Sequence, residues 1–546
     1  MHLSVASRRH LLRCLIVTLL GVVPLRAERV QITVLSTTDL HGHIFPIDYS
    51  TNRPSAHGLA KVATLIREAR KTAPDLLLID AGDTIQGTPL AYYHNRVNNS
   101  PVDPMMLTMN ALDYDSMTPG NHEYNFGLRV LNKAQSEADF PWISGNTYRA
   151  DRDETAFPPY VVKTVQGVKV GIVGITTPGI PGWENPENYA GLEFRDPVVA
   201  TRRWVEELRT KERAQIVILA LHAGIEENLA TGAVYQGVVP LENAAVSIAR
   251  QVPGIDLILM GHTHREVAGL VIGDALLAQA GRWGSHLVRA DFFVERADDG
   301  TAEVVAKTSR TLAVTDATPV DPEIIELAQP YHDATQKWLG TSIGRSAQKL
   351  TAENARLQDT AIIDLIQRVQ LAAGEADVSF TAAFNLDARL PAGDITVREI
   401  AALYVYENTL VTIELTGAQI KAALEHAARY FGPYAEGKTA ADLIDRSIPG
   451  YNFDIAEGVD YTIDLTRPVG DRITGLRRDG APLAPDAKLR VAINNYRLNG
   501  GGGYTMFKDA PVLSRSSTEI RDLIIDWVEE HRDIPTEPTH NWRIVP

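Results

Sequence analysis

Cysteine is all but missing from these 546 residues: Cys14 is the only one. It lies in an N-terminal stretch that reads as a removable leader, so the mature protein is expected to have neither a disulfide nor a thiolate metal ligand. Small residues do not precede Cys14, which argues against a lipoprotein anchor. Long apolar runs are absent as well. The run 14–23 is short for a membrane span, and no second candidate follows it, so no stable membrane anchor is expected. There is no low-complexity tract and no internal repeat. Positive charge is also in short supply, with 53 Lys and Arg against 68 Asp and Glu and a formal net charge of -15. Residues 1–27 hold Arg8, Arg9, Arg13 and Arg26 and no acid, so the remainder is four units more negative still. A body that acidic is a poor candidate for coating a nucleic-acid polymer or an anionic membrane. It still admits a small anionic substrate, because bound metals can invert the local field.

What is present begins with the leader. Arg8, Arg9 and Arg13 precede the apolar run, and Ala27 is a plausible cleavage point. Ser7-Arg8-Arg9-His10-Leu11-Leu12-Arg13 resembles a twin-arginine signal; the alternative is an ordinary secretory signal that happens to hold two adjacent arginines. Export to the periplasm or beyond is expected either way. The remaining length suffices for two or more domains with full cores.

Along the chain one device recurs: an apolar run with metal-type residues at its carboxyl end. Residues 29–36 lead to Asp39-Leu40-His41-Gly42-His43, and residues 75–80 to Gly82-Asp83. A helical stretch over 105–112 leads to Gly120-Asn121-His122-Glu123, residues 216–221 to His222, and residues 255–260 to Gly261-His262-Thr263-His264. Buried sheets present ligands where loops leave the strand ends. Any one of these histidines, taken alone, is better read as a satisfied structural residue. Five such clusters in one domain outweigh that reading jointly. With thiolate excluded, they supply hard oxygen and borderline nitrogen ligands, enough for two first-row divalent ions (Mn, Zn, Co or Fe).

A dinuclear centre needs one bridging carboxylate and about three further ligands per metal, with the metals about 3.5–4 Å apart. Asp83 is the natural bridge. One ion is then assigned Asp39, His41 and His264, and the other Asn121, His222 and His262. Metal coordination lowers the pKa of water, which supplies a nucleophile at neutral pH. His122, beside a ligand but pointing elsewhere, suits transition-state stabilisation or protonation of a leaving group. His43 and Glu123 are expected to support the ligands. Residues 317–339 have a helical pattern, with Pro319 and Pro322 near the start and Pro330 as a potential kink. A second α/β region follows from about residue 340.

These motifs, in this order, match the calcineurin-like metallophosphoesterases, and with the second region the chain resembles the bacterial periplasmic 5′-nucleotidase family. The resemblance covers nearly the whole mature chain. It implies an α/β fold: an N-terminal four-layer α-β-β-α metallophosphoesterase domain over residues 28–316, a linker helix over 317–339, and a C-terminal α/β substrate-binding domain over 340–546. It implies the ligand set above and a small-molecule nucleotide as substrate; a monomer is expected. One departure stands out. The family's 5′-nucleotidases usually carry Asp two residues after the motif's Glu, paired with the catalytic His, and here that position is Asn125. Asn125 looks more like the 2′,3′-cyclic-nucleotide 2′-phosphodiesterase/3′-nucleotidase branch. So do Tyr404-Val405-Tyr406-Glu407-Asn408-Thr409-Leu410, Tyr451-Asn452-Phe453-Asp454 and Asn494-Asn495-Tyr496-Arg497. The family binds the base between two aromatic rings, for which Tyr496 and Phe453 are the candidates, with Tyr451 next. For Phe453 the competing reading is core packing. Asn408, Asn495 and Arg356 complete the expected substrate contacts. The favoured activity is hydrolysis of cyclic 2′,3′ diesters and 3′-monoesters. The alternatives are a 5′-nucleotidase or UDP-sugar hydrolase, a thiosulfohydrolase of sulfur oxidation, and a binding protein without turnover.

Overall fold

The computed structural model describes residues 28–234, 240–297, 300–498 and 500–545. The leader expected over residues 1–27 lies outside them. Two sheets build the first half. One runs in the order Ala302–Ala313, His286–Arg296, Glu28–Thr37, Leu77–Asp80, Ser116–Met117. The other runs Glu266–Ile272, Ala275–Ala280, Leu257–Met260, Ile216–His222, Val168–Thr176, Tyr160–Val165. The sheets face each other through Val30, Ile32 and Val34 on one side and Ile216, Ile218 and Leu257 on the other. The alternate residues Val217, Leu219 and Leu221 turn outward, against Trp204, Val205 and Ile248 of the helices Pro197–Glu207 and Ala245–Gln251. Leu35 and Leu78 turn out of the first sheet toward Val62 and Ile66 of the helix Leu59–Thr72. The central strands therefore have no wet face, which is why they read as unbroken apolar runs. The result is a four-layer α-β-β-α domain.

The register explains why the ligands meet. Thr37 pairs with Asp80, Asp80 with Met117, His222 with Thr176, and Leu221 with Met260. These strands are parallel and end level, so each motif leaves the sheets at the same edge.

The connecting helix spans Pro322–Leu339. The expected start at residue 317 is too early. Asp321 caps it by accepting from the N–H groups of Glu323 and Ile324, and Pro322 takes the first turn, where no N–H is needed. Pro330 lies inside the helix without dividing it. Beyond it, a five-stranded sheet runs Asp454–Glu457, Val378–Ala382, Lys488–Asn494, Thr409–Thr416, Val512–Glu519. The helices Ala361–Gly374, Gly417–Ala428 and Ile520–His531 accompany it. Among the described residues no helix is long and apolar enough to cross a membrane. The two halves touch through Arg96 and Glu519 at 3.1 Å, Tyr92 and Asp522, and Arg398 donating to the Tyr49 carbonyl at 2.6 Å.

Candidate metal centre

Each motif loop is held by backbone bonds to its neighbour. Asp39 donates its N–H to the Gly82 carbonyl at 2.8 Å and His41 to the Asp83 carbonyl at 2.9 Å. Glu123, fully buried, accepts four backbone N–H groups: Thr84 at 2.6 Å, Ile85 at 3.2 Å, Asp83 at 2.9 Å and Gly120 at 2.6 Å. It thereby staples the Asp83 loop to the Asn121 loop. Glycine is required at the crossing, because a Cβ on Gly120 would sit 2.2 Å from Asp83 Oδ1 and 2.6 Å from His222 Cε1.

Sixteen described non-glycine residues have positive φ, and five of them are Asp39, His41, Asp83, His262 and His264. Left-handed backbone on such residues costs of order 1–3 kcal/mol apiece and persists only where the surroundings impose it. Five of the eleven described non-glycine residues with positive φ in this domain are ones the motifs single out.

Two triads form. Asp39, His41 and His264 offer donor atoms within 4.8 Å of one another, and so do Asp83, His222 and His262. Asp83 lies between the triads, with Oδ2 at 3.1 Å from His222 Nε2 and 3.9 Å from His41 Nε2. Asn121 brings its side-chain oxygen to 3.2 Å from His222 Nε2. The far ring nitrogens are tied back. His41 Nδ1 is 3.1 Å from the Gln86 carbonyl, His222 Nδ1 is 2.7 Å from the Ala81 carbonyl, and His262 Nε2 is 3.1 Å from Glu242. Such partners accept, so they hold the outward ring hydrogen and turn the inner nitrogen toward the site. His41 Nε2 and His264 Nε2 face each other at 3.0 Å beside Asp39, the spacing of two ligands around one small ion.

The electrostatics fit the same occupant. Burial opposes ionisation of Asp83, yet His222 and His122 hold its carboxyl well below the usual carboxylate range. Burial opposes charging of His222, but the Asp83 carboxylate outweighs it and pushes the imidazole up to about 10. Burial lowers His41 to about 4. Two fully buried carboxylates with no Lys or Arg against them among the described residues form a site built for cations. The donor set of His nitrogen, Asp oxygen and Asn oxygen suits a first-row divalent ion.

His122 stands apart from both triads. Its N–H is held by Asp83 Oδ1 at 2.8 Å, its ring lies edge-on to His41 at 5.2 Å between centroids, and its Nδ1 is 2.6 Å from Asn125 Oδ1. Burial lowers its pKa, but Asp83 and the Asn125 hydrogen bond prevail and raise it. His43 is not in either triad: it stacks on Trp283 at 4.9 Å, and its Nδ1 lies 3.0 Å from the His41 carbonyl, where it can brace the ligand loop.

The substrate candidates divide. Between the halves lies a cleft of about 750 Å³, with Glu242 and Thr263 on one wall and Tyr496, His426 and Asn452 on the other. Tyr496 is part-exposed there, and Tyr451 is 39% exposed. Phe453 is not available: it is 1% exposed, stacked on Tyr430 at 5.3 Å and packed against Phe431 and Trp542. The expectation that it holds a base is corrected, because its ring completes the core of the second domain. Tyr406, left out of the expected contacts, is 43% exposed. Asn495 is buried and its amide is already engaged, donating to the Trp183 carbonyl at 2.8 Å and accepting from Thr409 N–H at 3.2 Å. That bridges the domains instead of facing the cleft. Asn408 is half-buried, its carbonyl holding Ile520 N–H at 2.8 Å. Arg356 is half-buried and donates to the Ala383 carbonyl at 2.7 Å. Sequence reasoning also missed Glu242 and Glu184, which partner His262 and Asn125 without belonging to any motif.

Comparison with known proteins places this geometry. Residues 32–266 match the model of the calcineurin-like phosphoesterases, and residues 340–509 that of the 5′-nucleotidase C-terminal domain. A Haemophilus influenzae 2′,3′-cyclic-nucleotide 2′-phosphodiesterase/3′-nucleotidase is 29% identical over 99% of this chain and 92% of its own length. The trifunctional nucleotide phosphoesterase YfkN of Bacillus subtilis is 28% identical over 95% of this chain, which spans only 39% of that longer protein. A crystal structure of a candidate 5′-nucleotidase from Staphylococcus aureus superposes with a TM-score of 0.81 at 27% identity, covering 94% of this chain and all of that one.

Proposed function

This chain belongs to the 5′-nucleotidase family of calcineurin-like phosphoesterases, and from that premise we propose that it hydrolyses 2′,3′-cyclic nucleotides and the 3′-monoesters they yield. Water adds across the 2′ P–O bond to leave the 3′-phosphate, and a second water releases inorganic phosphate. The observation that carries the reading is the place of Asp83, between two donor triads and holding His122 by its backbone. Asp39, His41 and His264 would hold one divalent ion, Asn121, His222 and His262 the other, and Asp83 both. When bound, such ions neutralise phosphoryl oxygens and lower the pKa of water. His122 stabilises the transition state or protonates the departing sugar oxygen, with Asn125 holding its Nδ1. The Gln86 and Ala81 carbonyls and Glu242 keep the ligand histidines oriented through the bonds described above.

The division of labour falls at the Pro322–Leu339 helix, with phosphate chemistry before it and base recognition after it. Tyr496 supports recognition of the base from the cleft wall, with Tyr451 and Tyr406 as exposed neighbours. Arg8, Arg9 and Arg13 ahead of an apolar run support export. The test is phosphate release from 2′,3′-cyclic, 3′- and 5′-nucleotides and UDP-glucose with added Mn²⁺, with the phosphomonoesterase step resolved separately. Faster turnover of 5′-nucleotides than of cyclic diesters would replace this reading with the 5′-nucleotidase alternative. No turnover of any of them would remove the nucleotide reading altogether.

A further inference from the structure

Glu184 follows the short helix Ile180–Trp183, and its side chain is buried. Its carboxylate accepts from Asn125 Nδ2 at 2.6 Å through one oxygen, and from Asn185 N–H at 2.7 Å and Asn188 Nδ2 at 2.9 Å through the other. Burial raises its pKa, and these donors oppose the rise. The segment is pinned from the second domain, with Asn495 donating to the Trp183 carbonyl at 2.8 Å and Asn185 donating to Thr409 Oγ1 at 3.2 Å. Asn125 is therefore gripped from both ends: Nδ2 on Glu184, and Oδ1 at 2.6 Å from His122 Nδ1.

The hydrogen bonds fix each orientation in turn. A carboxylate only accepts, so the Asn125 amide nitrogen must face Glu184. The amide oxygen then faces His122, and it too only accepts, so Nδ1 carries the hydrogen and Nε2 is left for the reacting group. We propose that Glu184 is a positioning residue that locks the Asn125 amide in the orientation that holds His122 with Nδ1–H inward and Nε2 available. The carboxylate that usually sits directly on the catalytic histidine has, in this chain, moved one side chain further out. The inference rests on the role given to His122 under the proposed function.

A reciprocal exchange tests it. In E184Q the new side chain keeps its oxygen on Asn185 and Asn188 and turns its NH2 toward Asn125. Asn125 must then flip and present its own NH2 to His122 Nδ1, which forces the wrong ring tautomer, a defect known to cost catalysis heavily. N125D alone sets two carboxylates against each other at the 2.6 Å contact. Together the two changes satisfy every bond: the aspartate accepts from His122 and from the glutamine NH2, and the glutamine oxygen keeps Asn185 and Asn188.

Each single variant should lose about 10- to 100-fold in kcat on 2′,3′-cyclic AMP with KM little changed, up to the lower bound of general acid–base contributions, because His122 is misoriented and not removed. N125D/E184Q should regain most of the loss. In an H122A background, E184Q should cost nothing further. Melting temperature and bound metal, measured on all variants, separate this from misfolding, and a long-range ¹H–¹⁵N spectrum of the apo-protein should show the tautomer change in E184Q. A double variant no faster than the slower single variant, or E184Q at wild-type kcat, overturns the proposal. If H122A itself kept wild-type kcat, the role of His122 would fall instead, which is a different result from a slow H122A beside an unaffected E184Q.

Discussion

Glu123→Gln changes almost no volume, yet it should loosen the metal centre. The carboxylate holds two N–H groups on each oxygen: Thr84 and Ile85 on Oε1, Asp83 and Gly120 on Oε2. A glutamine has one oxygen, so in either orientation its NH2 faces two buried N–H donors. Each buried donor left without an acceptor costs about 1–3 kcal/mol, which gives about 2–6 kcal/mol for the pair. That energy separates two loops, those of Asp83 and Asn121, which belong to different strand ends and are joined by this side chain and the contacts of Asp83. If half of it appears as weaker ion binding, about 1–3 kcal/mol, affinity falls about 5- to 150-fold. The remainder lowers the melting temperature of the first domain. Chelator competition with Mn²⁺ or Zn²⁺ measures the affinity, and differential scanning fluorimetry with and without metal measures the stability. Wild-type affinity together with a wild-type melting temperature would refute the claim that Glu123 joins the loops.

Asp83→Ala removes the one carboxylate placed between both triads, so activity should fall by several orders of magnitude; two equivalents of metal retained in elemental analysis would defeat its role as bridge. Tyr496→Ala should raise KM for cyclic nucleotides by about 10- to 100-fold, since stacking on a base contributes about 1–3 kcal/mol, while hydrolysis of bis(p-nitrophenyl) phosphate should hardly change. Phe453→Ala should behave differently: its ring is buried against three aromatics, so truncation should destabilise the second domain by about 3–5 kcal/mol, read by denaturant unfolding, without selectivity for the nucleotide. A base-selective KM effect from Phe453→Ala in a stably folded protein would restore it as a substrate contact.

The sequence alone carried the ligand types, their order and their placement after apolar runs. Those runs are legible because a parallel strand buried on both faces must be apolar throughout, and a polar cluster can begin only where it ends. The near-absence of cysteine restricted the donors to nitrogen and oxygen before any geometry was known. Pro322 after Asp321 likewise marks the true start of the linking helix, although the longer apolar pattern drew the expected start five residues too early. Tertiary structure decided the rest. Whether an aromatic in the second domain faces a cleft or a core depends on neighbours such as Trp542, which are distant in the chain, so Phe453 and Tyr496 look alike in sequence and end in opposite surroundings. Asn125 reads as the loss of a carboxylate until the fold brings Glu184, 59 residues later, against its amide. Glu242 reaches His262 in the same way. Such partners carry no spacing signal, because a hydrogen bond specifies direction and distance in space and is indifferent to how much chain lies between its ends.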